Sequence, residues 1–424
     1  MKIRLIGVQH RLADRTGHRF HQSMAFLESA RRRGWGSVLF LHREAEPEVR
    51  AAFPQGHAVL SDPVFRRDLS FDERTALFAD MLGTHVSPVI RAGDRLLMTI
   101  ATQCEARAIF RWSAELPARK RPWSLVLFPS DRWNREGAEE RNRLLGEIAA
   151  TALEIARIDA GGRRRIVLAS HTASASAELA VLLGEDVGVA PMAELVAGIA
   201  PRAGRRLEGP VRVGVFGGAR PEKGSHRLAE IVAACRRRGA IDFNLQLANE
   251  QLTEDQFAQL CRLADEPGID CTRGGLGRDD YVSLFARTDL ALFPYQRIPY
   301  RQRASGILSE SILAGLPVVV PSGTWLAEQV ASGAAAGVIY EEDDVESIAA
   351  AVWRAADDLA RLSARARERV ETWRESQTMD PFLDWLEGVI AVRSAAEAAV
   401  SPPRGGLFRA GRSRFWPWRR APDR

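Results

Sequence analysis

The chain has 424 residues, 46% of them hydrophobic, which predicts a soluble globular protein of two or three domains. Its net charge of +5 does not indicate nucleic-acid binding, because residues 404–424 hold seven Arg and one Asp and the rest of the chain carries −1. No apolar run approaches the roughly 18–20 residues that cross a bilayer, and the start MKIRLIGVQH has no signal-peptide pattern, so we expect a cytoplasmic protein.

Two residue counts bear on chemistry. The four Cys form no Cys-x-x-Cys pair and have no His partner at zinc-ligand spacing, so we expect reduced thiols and no metal site. Of 59 Lys plus Arg, only Lys2, Lys120 and Lys223 are Lys. Because Arg is the usual cation of this chain, a Lys in a glycine-flanked turn indicates a specific requirement.

Strand and helix patterns alternate through residues 1–199 and predict one α/β domain with a parallel, doubly wound sheet. The predicted strands are 3–8, 37–41, 58–60, 95–99, 124–128 and 166–169. The predicted helices are 20–33, 72–82, 104–116, 138–158 and 173–183. Residues 200–210 are rich in Gly, Pro and Arg and predict a hinge.

The alternation restarts after the hinge and predicts a second, more regular α/β domain over residues 211–376. Its predicted strands are 211–216, 243–247, 269–271, 290–293, 316–320 and 338–340, and its helices begin near 225, 253, 279, 305, 324 and 345. A last helix within 377–400 is placed to pack back across the hinge. The Pro and Gly content of residues 401–424 predicts a flexible tail.

The segment VRVGVFGGARPEKG, at 211–224, is a strand followed by a Gly-rich turn and a helix start. Gly217 and Gly218 allow the backbone to approach a ligand closely, and Arg220 and Lys223 add positive charge beside a helix N-terminus. The spacing matches neither a Walker A loop nor G-x-G-x-x-G. This motif alone leaves two interpretations open: a diphosphate site, or an ordinary turn with a solvated Lys.

The segment DLALFPYQRIPYRQRASGILSESILAGLPVVVP, at 289–321, carries a second anion-binding pattern. Ser305 is a candidate N-cap for a helix whose first residues, Gly306 and Ile307, can face an anion. Glu310 lies on a small, apolar row of that helix, where an unpartnered carboxylate is costly. We therefore predict that Glu310 binds the hydroxyls of a nucleotide ribose, rather than being a solvated surface carboxylate.

In order, the motifs PEKG, the turn and helix at 277–281, DLALFPY and SESILAGLPVVVP resemble the donor domain of the family 4 glycosyltransferases, retaining enzymes of the GT-B architecture. The resemblance covers about 211–340. It implies a GT-B fold, with two Rossmann-like doubly wound domains facing a central cleft. It also implies a nucleotide-diphosphate sugar as co-substrate, with no metal or other cofactor.

Carried over by position, the resemblance gives roles to four residues. Lys223 contacts the donor diphosphate, with Arg220 standing near the family's usual Arg, whose own position is Gly218. Glu310 binds the ribose. The family's other motif glutamate, which contacts the donor hexose, corresponds to Gln302, an amide that can bond a hydroxyl but cannot support positive charge on a sugar ring.

The first domain offers only weak site candidates. The resemblance implies a His near the donor sugar after a central strand, but the strand predicted at 124–128 leads to Asp131 without one. Asp131, or His18 beside Gly17 in the first loop, is a candidate for the cleft, and a structural or surface role is the alternative for each. Arg297, Arg301 and Arg303 suit an acidic acceptor or the donor phosphate, or a solvated loop.

We expect transfer of a hexose to a glycan or lipid-linked acceptor in cell-surface polysaccharide biosynthesis. Aromatic residues alternate with Arg in 404–424, which suits a peripheral contact with an anionic membrane surface; a solvated tail is the alternative. Two other functions fit the architecture. A sugar-nucleotide epimerase would need an acid–base set that the sequence does not display, and a catalytically silent nucleotide-sugar-binding scaffold would explain Gln302.

Overall fold

The computed structural model describes residues 3–15, 18–128, 137–158, 165–193, 198–201, 209–249, 251–274 and 276–400, with the backbone alone for 18, 249 and 397–400. Within them the chain forms two parallel sheets, one from each half of the sequence. The predicted α/β fold with two doubly wound domains is therefore confirmed.

The first sheet has the strand order β3-β2-β1-β4-β5-β6-β7. Its strands are β1 Arg4–Gln9, β2 Gly36–His42, β3 His57–Leu60, β4 Asp94–Met98, β5 Trp123–Phe128, β6 Ile166–Ser170 and β7 Val187–Val189. Its helices are His18–Arg32, Pro47–Ala52, Phe71–Met81, Gln103–Glu115, Ala138–Arg157 and Ala173–Leu183, with a π-helical turn at Leu82–Val86. Strand order reverses between β1 and β4, which opens a crevice at their carboxyl ends.

The second sheet has the order β11-β10-β8-β12-β13-β14, with the short β9 paired to β10. Its strands are β8 Val211–Val215, β9 Gly218–Ala219, β10 Ile241–Asn249, β11 Ile269–Arg273, β12 Leu290–Leu292, β13 Val318–Pro321 and β14 Gly337–Tyr340. Its helices are Leu228–Arg237, Glu254–Arg262, Arg278–Ala286, Arg297–Tyr300, Gly306–Leu313, Trp325–Ala331, Val345–Asp357 and Leu359–Ser376. Here the order reverses between β8 and β12.

The last helix, Met379–Val400, belongs to the first domain by packing. Phe382, Leu383 and Leu386 are buried in the same core as residues of β1, β4 and β5. Asp380 pairs with Arg32 at 2.7 Å, and further along the helix Glu387 pairs with Arg95 at 2.6 Å. The chain therefore crosses between the domains twice.

The predicted strands are all present, with ends within two residues of those expected. Sequence patterns missed β7 and β9, which are too short to show a periodicity, and the helix Pro47–Ala52. The helix expected from 345 is split at Asp358, which leaves helical geometry at φ −105° and ψ 18°.

The four Cys are free thiols, and burial raises the pKa of Cys104 to about 12.

Candidate active site

The carboxyl ends of β8 and β12 hold both motifs that the sequence singled out. Parallel sheets bind ligands at the carboxyl edge where strand order reverses, and β8 and β12 are neighbours at that point of the second sheet. The loop after β8 contains Gly217, Arg220 and Lys223. The segment after β12 leads to Gln302 and to the helix Gly306–Leu313.

The turn that carries Lys223 differs from the prediction. Two 3₁₀ turns, Pro221–Lys223 and Ser225–Arg227, precede the α-helix, which begins at Leu228 rather than near 225. The break is at Gly224, whose φ of +73° ends the first turn and whose built Cβ would lie only 1.9 Å from the carbonyl oxygen of Pro294. Lys223 is therefore held by a turn pressed against the segment after β12, not by the N-terminus of a long helix.

Gly217 is the point at which the two motifs meet. A Cβ built on Gly217 would lie 2.6 Å from Lys223 Nζ and 2.5 Å from Ile307 Cδ1. The Gly217 N–H donates to Gln246 Oε1 at 2.8 Å, and its φ is +93°, which favours glycine. Gly218, by contrast, lies in β9 and pairs with β10. The structure thus places the ammonium group beside the first turn of the 306–313 helix.

That helix begins as predicted. The Ser305 hydroxyl accepts a hydrogen bond from the Leu308 N–H at 3.3 Å, and Gly315 takes the left-handed conformation, φ +65°, just beyond the helix end. The first N–H groups of a helix have no partner inside it, so Gly306 and Ile307 present donors at this end. Together with Lys223 they form a positively polarised wall suited to phosphate.

Arg220 and Arg303 extend the positive wall. Each guanidinium has Nη1 3.7 Å from the Oε1 atom of Glu222, so the two arginines flank one carboxylate. The Arg220 N–H is also bonded to the Ser225 hydroxyl at 3.2 Å, which fixes the turn between the two 3₁₀ segments. Arg220 therefore lies in the same loop cluster as Lys223, as its proposed role requires.

Glu310 is only 8% exposed, and its Oε2 accepts a hydrogen bond from the Tyr281 hydroxyl at 2.6 Å. Burial first, and then the adjacent carboxylate, raises the pKa of Tyr281 well above its usual value, so the hydroxyl stays protonated and donates. Sequence reasoning placed Glu310 on an apolar helix face but did not find Tyr281 as its partner. The contact orients the carboxylate.

Gln302 lies at the junction of the two domains. It is 8% exposed, and its backbone oxygen accepts a hydrogen bond from the Thr172 hydroxyl at 2.7 Å. Thr172 is also the N-cap of the first-domain helix Ala173–Leu183, accepting from the Ala175 N–H. A cavity of about 480 Å³ between the domains is lined by Gln302, Arg301, Ser174 and residues 322–324.

Sequence reasoning also missed His171, which lies between β6 and Thr172. It is 8% exposed, and its Nδ1 lies 3.2 Å from the Ala190 carbonyl oxygen. In the tautomer that donates through Nδ1, Nε2 is an acceptor. The sequence analysis considered a His after β5, whereas His171 follows β6, the next strand of the sheet. The available signal was a His two residues after the end of the predicted strand 166–169.

Three first-domain candidates remain unplaced. Gly17 and Asp131 lie outside the described residues, and for His18 the structure describes the backbone alone, at the start of the helix His18–Arg32. Their roles stay predictions.

The crowding at Gly217 predicts a selective effect on the site. In Gly217→Ala the new methyl group must displace Lys223 and Ile307, so we expect donor affinity to fall by about tenfold or more. Gly184→Ala is the matched control, because Gly184 also has a positive φ, +67°, but has open space around its built Cβ. Thermal unfolding should show that both variants fold, with the larger loss of stability in Gly217→Ala because of the crowding, and titration with nucleotide sugars should show a binding defect in Gly217→Ala alone. Equal donor affinity in the two would contradict the assignment.

Residues 210–358 match the family model described as glycosyl transferases group 1. Over this segment the chain is similar to the group 1 glycosyl transferases. The match confirms the resemblance that the motifs carry in the second half of the chain, and with the fold it supports a glycosyltransferase. No curated protein matches the chain.

Solved structures extend the likeness to both domains, and the fold is GT-B. The chain is similar to a trehalose-6-phosphate protein of E. coli bound with UDP-2-fluoro glucose, at 14% identity and a TM-score of 0.62, covering 92% of this chain and 98% of the other. The chain is also similar to HepE of Anabaena in complex with UDP, at 14% identity and a TM-score of 0.60, covering 94% of this chain and 99% of HepE. A third similar structure is the α,α-trehalose 6-phosphate synthase of Burkholderia multivorans, at 12% identity and a TM-score of 0.63, covering 95% of this chain and 100% of the synthase. The segment that matches the group 1 model is thus the second of two GT-B domains.

Proposed function

We propose that the protein is a retaining glycosyltransferase that moves a hexose from a nucleotide-diphosphate sugar to a glycan or lipid-linked acceptor, in cell-surface polysaccharide biosynthesis. The observation that carries this proposal is the meeting of Lys223 and the 306–313 helix N-terminus at Gly217, with the buried Glu310 on the same helix. A phosphate-binding wall beside a ribose-binding carboxylate suits a nucleotide diphosphate. The bound UDP and UDP-2-fluoro glucose of the similar structures agree with it.

In the proposed reaction, the bond between the anomeric carbon and the β-phosphate oxygen breaks, and its electron pair stays on the phosphate. The acceptor hydroxyl oxygen bonds to the anomeric carbon on the same face, and its proton passes to the departing phosphate. The main demand on the protein is to stabilise the negative charge that develops on that phosphate. Lys223 and Arg220 supply positive charge there, and we propose that no metal ion or other cofactor is needed.

We assign the donor sugar to the junction between the domains. Thr172 anchors the backbone of Gln302, and we propose that the Gln302 side-chain amide hydrogen-bonds a hexose hydroxyl. His171 precedes Thr172 in the chain, so it fits the first-domain His that the family resemblance implies. In this assignment His171 Nε2 accepts a hydrogen bond from the donor sugar.

A donor panel tests the proposed function. The full-length chain is incubated with UDP-, GDP- and ADP-hexoses, and binding is followed by thermal shift, release of nucleotide by chromatography, and anomeric configuration by NMR. We expect one donor to bind and to give transfer with retention when a hydroxylated acceptor is present. Isomerisation of the sugar without an acceptor would support the epimerase instead, and binding without any reaction would support the silent scaffold.

The proposed role of His171 predicts a kinetic defect in His171→Ala. Loss of one sugar hydrogen bond in His171→Ala should lower kcat/KM by about tenfold, while affinity for the bare nucleoside diphosphate stays unchanged. His57→Ala is the control, because His57 is an exposed first-domain histidine on the edge strand β3. Equal kinetics of the two variants with the sugar donor would contradict the assignment.

We propose that the protein works at the inner face of a membrane. Among the described residues, no helix has the length and apolar character needed to span a bilayer. The Arg- and aromatic-rich residues 404–424 lie outside the described part, and their composition suits anionic lipid. Deleting 402–424 should reduce co-sedimentation with phosphatidylglycerol vesicles and leave transfer to a water-soluble acceptor intact. Unchanged sedimentation would contradict this peripheral attachment.

A further inference from the structure

The first domain has its own crevice, at the carboxyl edge where β1 and β4 are neighbours. A cavity of about 780 Å³ lies there, bounded by Arg11 after β1, by residues 100–103 after β4, and by Phe128 at the end of β5. The helices Phe71–Met81 and Ala138–Arg157 form another wall. Arg303 of the second domain also lines it, so the cavity adjoins the donor site.

The charge of this lining is mostly positive. Among the described residues, five arginines and two carboxylates line the cavity, whereas the whole chain has 54 Asp plus Glu against 59 Lys plus Arg. The arginines are Arg11, Arg67, Arg74, Arg143 and Arg303, and the carboxylates are those of Glu140 and Glu147. Such a lining favours a negatively charged ligand.

Two arginines are largely neutralised by the carboxylates of the lining. Arg74 Nη2 lies 2.7 Å from Glu147 Oε1, and its Nη1 donates to the Val64 carbonyl oxygen at 2.7 Å. Arg143 pairs with both Glu140 and Glu147. These contacts fix the positions of the guanidinium groups along the wall.

Arg11 is neutralised behind the wall. Its Nε and Nη2 lie 2.9 Å from Asp62 Oδ2 and Glu105 Oε1 respectively. The two remaining arginines have weaker partners. Arg67 is exposed and has no hydrogen bond or ion pair with any described residue. Arg303 has the 3.7 Å contact with Glu222, and its guanidinium lies over the Tyr300 ring, 5.2 Å from Cζ to the ring centroid. The positive charge left for a ligand is therefore at Arg67 and Arg303.

Three buried polar atoms of the lining have no hydrogen-bond partner in the described part of the chain. They are the amide oxygen of Gln103, Nε of Arg74 and Nη1 of Arg303. Gln103 is only 5% exposed, so its free acceptor costs stability unless a donor meets it. A lining that contains an acceptor oxygen and two N–H donors fits a ligand that has both hydroxyl and anionic groups.

Phe65 gives the cavity an apolar surface. Its ring is 54% exposed and lies over the Arg11 guanidinium, 4.3 Å from Cζ to the ring centroid. Ligand sites combine such apolar faces with a few polar groups that set orientation. The C–H face of a sugar ring matches this surface.

We propose that this cavity is the acceptor site, and that it binds a sugar carrying an anionic group, either phosphate or carboxylate. The inference rests on the proposed glycosyltransferase function. Gln103 accepts a hydrogen bond from a sugar hydroxyl, Phe65 covers the ring, and Arg67, Arg74 and Arg303 bind the anion. The position next to Arg303 presents an acceptor hydroxyl towards the donor.

The test is a nucleotide-free titration of the full-length protein by calorimetry with glucose 6-phosphate, glucuronate, glucose and inorganic phosphate. We expect one anionic sugar to bind at least about tenfold more tightly than glucose and inorganic phosphate, since one charged hydrogen bond contributes roughly 1.5–3 kcal/mol. The first two probes separate a phosphate from a carboxylate requirement. Equal affinity for glucose and both anionic sugars would overturn the proposal.

Variants connect the binding to the cavity. Arg67→Gln, at an exposed position that folding does not depend on, and Gln103→Leu should each weaken the anionic sugar about tenfold, with Arg287→Gln as the control. Arg287 pairs with Asp270 in the second domain, outside the cavity. Unchanged affinity in both cavity variants would refute the site. Failure of every nucleotide sugar to bind would contradict the proposed function but not this result, because these titrations contain no nucleotide.

Discussion

Lys223→Ala is expected to lower kcat roughly 100- to 1,000-fold and to weaken donor binding, because it removes the cation that meets the departing phosphate. The geometry makes this contribution hard to replace. Lys223 Nζ lies beside Gly217, in a turn held against the Pro294 carbonyl oxygen by Gly224. Arg220 belongs to the same loop, but its guanidinium faces Glu222 at 3.7 Å. Steady-state transfer assays and thermal shift with the donor identified by the panel measure the effect.

Lys120→Ala is the matched control, since Lys120 is exposed on a 3₁₀ turn of the first domain. It makes the same chemical change away from the cleft and should leave kcat, KM and stability as in wild type. Donor-induced stabilisation of equal size in Lys223→Ala and Lys120→Ala would refute the phosphate role of Lys223.

Two substitutions of Glu310 should separate its contribution to donor binding from its contribution to stability. In Glu310→Gln the side chain still accepts from Tyr281 but loses its charge, so donor affinity should fall about tenfold to a hundredfold with little change in unfolding temperature. In Glu310→Ala the buried Tyr281 hydroxyl also loses its partner, which should cost about 1–3 kcal/mol in the free energy of unfolding. Donor titration and chemical denaturation measure the two effects.

Tyr281→Phe completes this test. Added to Glu310→Ala, it should recover part of the lost stability, because the double variant buries no unpartnered hydroxyl. It should not recover donor affinity. Glu371→Gln, at an exposed position on the helix Leu359–Ser376, controls for the charge change. If Glu310→Gln bound the donor as tightly as Glu371→Gln, the ribose role of Glu310 would be wrong.

The sequence was most informative where structure depends on neighbours along the chain. Ser305 caps its helix and Gly315 ends it, and both follow from intrinsic preferences of those residue types. Gly224 shows the limit of such reasoning. A glycine immediately before a predicted helix start is ambiguous, and only the nearby Pro294 carbonyl shows that the chain must turn there.

Contacts between distant segments were not predictable in the same way. Tyr281 and Glu310 are 29 positions apart, and Thr172 and Gln302 are 130 apart in different domains. No local sequence pattern predicts such pairs, because they depend on strand order and on how the two domains face each other. His171 was not singled out for a related reason: a single sequence does not say which strand ends of the first domain lie near the second.

The helix Met379–Val400 makes the first domain discontinuous in sequence. Phe382, Leu383, Leu386 and Ile390 fill one side of the core formed by residues from the other end of the chain. A fragment ending near residue 200 would therefore expose that apolar surface to water and aggregate, whereas the same fragment supplied with 377–400 in trans should be rescued. The two halves of this protein cannot be exchanged with those of a relative by a single cut at the hinge; a working chimera needs two junctions, one on each crossing.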